Sequence, residues 1–127
     1  MIKYQNNVQA NHEDWTKYYK EDTCLKVGIN PKLPMTICGY ESEPQHGWND
    51  RSHKYNGPIN GYGYWVNQLV KDSQGRLWKQ NPVMVIVDGT RPKTFKFGEK
   101  VLFDKLGAYY SKRKYGYQFR AKEIRHE

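Results

Sequence analysis

Polar and apolar residues alternate with a period of two along most of the chain beyond residue 34, the signature of strands. Met35–Ser42 (MTICGYES) predicts a first strand. Asn60–Lys71 (NGYGYWVNQLVK) predicts a second, with Tyr62, Tyr64 and Val66 on one face and Trp65 and Asn67 on the other. Gly61 and Gly63 leave room at its start for close approach of another backbone. Asp72–Gly75 (DSQG) turns the chain into Arg76–Gln80, which makes a hairpin. Pro82–Asp88 (PVMVIVD) is the most apolar run, and its β-branched residues mark a buried strand. Val101–Phe103 begins a further strand, Lys114–Tyr117 bends it, and Gln118–Ile124 returns. In that last strand Tyr117, Phe119 and Ala121 should face the core, and Gln118, Arg120 and Lys122 solvent or phosphate.

The period becomes helical only near the start. Asn11–Lys20 (NHEDWTKYYK) places Trp15, Tyr18 and Tyr19 at i, i+3 and i+4, on one face of a helix. Asn11 can cap it, and Glu13 and Asp14 suit the positive end of its dipole. That face is expected to lie against a sheet; docking of a protein partner through Trp15, Tyr18 and Tyr19 is the alternative. Gly28–Pro34 (GINPKLP) breaks the chain, and Glu43–Pro58 is a long polar loop, a length that is usually functional or disordered. The expected fold is mainly β: a single domain over 1–127, with a helix at 11–20 and a five-stranded OB-like or SH3-like barrel at 35–124, interrupted by the 43–58 loop.

Charge sharpens this picture. The net charge is +8. Residues 1–90 hold 10 Lys/Arg and 9 Asp/Glu; residues 91–127 hold 11 and 4, so the last segment carries +7 of the excess. A clustered basic face is the footprint of a polyanion partner. Inside it, Ala108–Lys122 (AYYSKRKYGYQFRAK) interleaves rings with cations. Cations attract phosphates and flat rings stack on bases, which is what a single strand needs from a protein that does not read its sequence. Lys112, Arg113, Lys114, Arg120 and Lys122 are the expected phosphate contacts. Tyr62, Trp65, Trp78, Tyr109, Tyr110 and Tyr115 are the expected stacking rings. The 43–58 loop, with His46, Trp48, Arg51, His53, Lys54 and Tyr55, has a composition suited to the same partner.

The segments Pro92–Phe103 (PKTFKFGEKVLF) and Tyr117–Ile124 (YQFRAKEI) resemble the C-terminal half of a family of small accessory proteins encoded by Gram-positive conjugative elements, themselves similar to helicase-processivity factors. The shared pattern is aromatic-x-aromatic before a turn, a Val-rich strand, a variable loop, and a closing aromatic-x-x-Ala-x-x-Ile strand. The Tyr/Trp-rich middle of the chain lies outside it. The resemblance implies a single-stranded DNA binder acting in conjugative transfer or in plasmid or phage replication.

Catalytic and metal motifs are absent. Cys24, Cys38, His46 and His53 lack the short Cys-x2–4-Cys spacing of zinc sites. Gly57–Gly63 (GPINGYG) lacks the lysine of a phosphate loop. Two free thiols, no metal, no cofactor and no enzymatic activity are expected. No apolar run is long enough for a bilayer and the start does not read as a signal peptide, so a soluble cytoplasmic protein is expected. Two functions follow from the sequence. The first is a non-enzymatic binder of single-stranded DNA, with RNA as an alternative substrate. The second is an inhibitor from a phage or mobile element, of the anti-CRISPR type, that binds a host nucleic-acid enzyme.

Overall fold

The structure, a computed structural model, describes residues 14–127. The strands are β1 (Met35–Ile37), β2 (Glu43–His46), β3 (Ile59–Asn67), β4 (Leu69–Lys71), β5 (Leu77–Lys79), β6 (Val83–Asp88), β7 (Lys100–Asp104), β8 (Gly107–Ser111), β9 (Gly116–Ala121) and β10 (Glu123–His126). One sheet runs β10-β7-β1-β3-β6-β9-β8, with β2 added beside β3, and β4 and β5 form a separate hairpin. β3 is its centre: one edge pairs with β2 over Ile59–Gly63 and then with β1 at Val66 and Asn67, while the other pairs with β6 from Gly61 to Val66. A side chain at Gly61 would meet the Val87 carbonyl oxygen at 2.8 Å, so this strand needs glycine where β6 approaches.

The mainly β expectation is met, but the barrel does not close. β8 and β10 stand at the two ends of the sheet and do not pair with each other, so it stays open. The ladder ends at β8, whose outer edge meets a single turn of chain: Lys20 and Ala108 exchange both backbone hydrogen bonds, at 2.9 and 3.0 Å. Gly107 permits this crossing, because a Cβ there would stand 2.5 Å from the Tyr19 carbonyl oxygen. At the other end the chain steps from β9 into β10 through Lys122, whose N–H donates to the Asp104 carbonyl (2.9 Å).

The expected faces hold except at Tyr117, which was expected in the core but is 45% exposed, because it pairs with Tyr110 where β8 and β9 run past the core. Tyr64, Val66, Val85, Val87, Phe119 and Ala121 are buried in one core with Met35, Ile37, Val101, Phe103 and Ile124. Six expected elements are corrected. The 35–42 strand ends at Ile37, the strand from Val101 breaks at Lys105 (φ 54°) into β7 and β8, and the 118–124 strand divides at Lys122 into β9 and β10. Of the 11–20 helix, 11–13 lie outside the described residues; Asp14–Lys17 forms a single 3-10 turn, and the α-helix, α1, follows at Glu21–Lys26. The 60–71 strand breaks at Gln68, which is 1% exposed. Its amide oxygen accepts the Asn30 N–H (2.8 Å) and its amide nitrogen donates to the Asn30 carbonyl (2.8 Å). A buried polar side chain must satisfy its own groups, so Gln68 ties the chain to the Gly28–Pro34 segment and re-aims it into the β4–β5 hairpin. The 43–58 loop, finally, begins with β2, whose polar residues (EPQH) hid its strand character.

Candidate nucleic-acid interface

β8 and β9 form a hairpin whose four-residue turn is Lys112–Tyr115, between Ser111 and Gly116. Tyr115 sits there at φ 53°, and the whole turn is exposed. Register fixes which residues share a face. Tyr109 lies opposite Gln118, and Gly107 opposite Arg120, on the outer side; Ala108 and Phe119 point to the core. Tyr110 and Tyr117 pair across the strands, edge to face at 5.1 Å, near the tip.

The outer face of this hairpin is one wall of an open groove of about 1310 Å³. Ile86 of β6 and Asn60 of β3 form its floor region, and Gln45, His46, Trp48 and Tyr55 line its far wall. Trp48 is held edge-on to Tyr55 (5.1 Å) and to His53 (6.2 Å). His46 Nδ1 meets the Gly57 carbonyl oxygen at 2.7 Å, and Gly47 exchanges hydrogen bonds with Gly57 and Pro58, which folds the 47–58 loop back on itself. Among the described residues, Lys112, Arg113, Lys114 and Arg120 line the groove together with five aromatic rings, and no carboxylate does. Among the described residues Lys112, Arg113 and Lys114 make no ion pair.

The N-terminal segment closes one end of the groove. Trp15 is 5% exposed, and its indole N–H donates to Asp88 Oδ2 (3.0 Å). Arg120 Nη2 pairs with Asp88 Oδ1 at 3.0 Å and Lys122 Nζ with Oδ2 at 3.5 Å, and both cations lie over the Trp15 ring, at 5.6 and 5.2 Å. Tyr19 follows, donating to Gln118 Oε1 (3.3 Å) and resting 5.5 Å from the Tyr109 ring. Burial raises the Tyr19 pKa, Arg120 opposing, so its hydroxyl stays protonated. Trp15 thus lies against the sheet as expected, Tyr19 becomes part of the groove, and Tyr18 is left exposed beside Tyr109 (6.3 Å).

The expected site residues therefore divide. Tyr109, Tyr110, Lys112, Arg113, Lys114 and Arg120 meet in the groove. Tyr115 caps the turn at 86% exposure. Lys122 and Arg120 are drawn to Asp88, so both are less available to phosphate than their position in the sequence suggests. Tyr62 packs on the core side, and Trp65, with its indole N–H on Glu43 Oε2 (2.5 Å), lies beside it along a second cavity. Trp78 is on the separate β4–β5 hairpin, opposite Val70. Trp48 and Tyr55 belong to the groove through the loop, whose composition was their only signal.

Among the described residues no group of His, Cys, Asp and Glu could hold a metal ion, and no helix is long and apolar enough to cross a membrane. Cys24 and Cys38 are free. Burial, with Glu21 adding, pushes the Cys24 thiol up to about 12, so it stays protonated and unreactive. Comparison with known proteins returns no matching family model, curated protein or solved structure.

Proposed function

We propose that this protein binds single-stranded nucleic acid, DNA first, in the groove between the β8–β9 hairpin and the 47–58 loop, and performs no chemistry on it. One observation carries the proposal: distant parts of the chain converge on a groove that, among the described residues, is lined by four cations, five rings and no carboxylate. Phosphates would lie along Lys112, Arg113 and Lys114, and bases would stack on Tyr109, Tyr110 and Trp48, each base contributing about 1–3 kcal/mol. A bent antiparallel sheet with a binding face is how OB-like barrels hold oligonucleotides, and the resemblance to accessory proteins of conjugative elements points the same way.

The test is fluorescence anisotropy with labelled single-stranded DNA, duplex DNA and single-stranded RNA of equal length, over a salt series. Single-stranded DNA should bind most tightly, with affinity falling steeply as salt rises. Each neutralised phosphate on a single strand contributes about 0.7 to the slope of log K against log salt, so changing Lys112, Arg113 and Lys114 together to Ala should lower that slope by about 2. An unchanged slope removes the hairpin from the site. Absence of binding at low salt overturns the proposal.

A further inference from the structure

Tyr62 and Trp65 are aromatic residues that the groove leaves unused. They line a second cavity of about 450 Å³, between Ile37 of β1, β3 and the 92–95 connection. Its volume lies within the range of small-ligand pockets, about 300–1,000 Å³. Tyr40 forms its rim: 85% exposed, it stacks on Phe97 with ring centroids 5.2 Å apart. Tyr64 and Phe95 meet edge to face at 5.8 Å deeper in, and the Tyr64 hydroxyl accepts the Lys93 N–H (2.9 Å).

The charge of the lining differs between the two sites: among the described residues the groove has four cations and no carboxylate, the cavity one of each. β2 passes between them. Its Gln45 and His46 line the cationic groove, whereas Glu41, just before it, lines the cavity, and Glu43 holds the Trp65 indole. Lys93 is the one cation lining the cavity, and its ammonium donates to the Ile124 carbonyl oxygen (2.9 Å). The Glu41 carboxylate has no ion pair among the described residues. A phosphate entering here would meet the Glu41 carboxylate and a single ammonium already bound to a carbonyl, in place of the four cations of the groove. A cation would meet aromatic residues and a carboxylate without an ion pair, groups that both attract it.

We propose that this cavity is a binding site for an organic cation of the guanidinium or alkylammonium class. Trp65, Tyr40 and Tyr62 offer their rings and Glu41 its charge. The cation is either a free small molecule or the side chain of a partner protein, and the chemistry is the same for both.

The site can be tested without nucleic acid, by following indole N–H signals in nitrogen–proton correlation spectra. The Trp65 signal is assigned by its loss in Trp65→Phe. Tetramethylammonium chloride, acetyl-arginine amide and an arginine-containing peptide are titrated separately, with a deoxynucleoside monophosphate as the anionic control. The Trp65 signal should shift saturably with the cations, the Trp78 signal should not, and Glu41→Gln should weaken binding about five-fold, the scale of one exposed ion pair. Tetramethylammonium acting as well as the arginine ligands supports a small-molecule cation; tighter binding of the peptide supports a protein partner. Three results overturn the proposal: no saturable shift with any cation, equal binding in Glu41→Gln, or a larger response to the mononucleotide.

Discussion

Asp88 does more for the groove than any residue that lines it. Its two oxygens take the Trp15 indole, the Arg120 guanidinium and the Lys122 ammonium. It also closes the most apolar strand in the chain, so in sequence it reads as a strand-ending turn residue. What it binds comes from two distant segments, and no local pattern could announce that. Arg120 and Lys122 were legible as outward-facing cations, because alternation in β9 fixes their side of the sheet. Their carboxylate was not. Arg120 is only 13% exposed at its side chain, so Asp88→Ala should destabilise the fold by about 1–3 kcal/mol, as removal of a charged hydrogen-bond partner does. Lys112→Ala, on the open turn, should stay within about 0.5 kcal/mol of the parent. Urea denaturation of the two variants measures the difference; equal midpoints would mean that Asp88 holds nothing.

Elements were legible where the side chains alternate strongly, as in β6 and β9. β2 was hidden because Glu-Pro-Gln-His is polar throughout, and β3 was read too long because Gln68 looks like an ordinary strand residue until its partners are seen. The last strand is fastened by another device that depends on distance along the chain. Glu99 accepts the Lys96 N–H (3.0 Å) and pairs with His126 of β10, whose ring rests 4.8 Å from Phe95. The Lys96 N–H first, and then His126, hold the Glu99 pKa below its ordinary value of 4.5. A carboxylate depressed in the folded state stabilises above its unfolded pKa, and loses that contribution as pH falls through the folded one. Stability should therefore fall more steeply in the parent than in Glu99→Gln as pH drops below the ordinary value of 4.5. Denaturant midpoints across that window test it; parallel curves would show that this carboxylate is not coupled to folding.

At the scale of the molecule, four of the eleven Lys and Arg of residues 91–127 line the groove, so the charge count pointed to the right segment without locating the face. The convergence of the 47–58 loop on the same groove was not foreshadowed, since it depends on which edge of β3 accepts β2. Stability should be spread as unevenly as the pairing. β3 and β6 have neighbours along both edges, whereas β4 and β5 have only each other. Amide hydrogen exchange should be slowest in β3 and β6 and fast in the β4–β5 hairpin, because local opening follows the pairing that must be broken. Uniform protection would refute that ranking.

The parallel pairing of β6 with β9 bears on how the chain acquires its shape during synthesis. β6 can join β3 soon after it leaves the ribosome, but Val85 and Val87 must wait for Phe119 and Ala121 before their second neighbour exists. The two strands cannot be linked by a tight turn, and distant pairings of this kind slow folding. Until β9 is made, one edge of the most apolar strand is open to other nascent chains, and the groove has its floor but not the paired hairpin that forms its wall. A chain halted in the β8–β9 turn would carry all five rings of the groove and no β9 to hold the hairpin against β6.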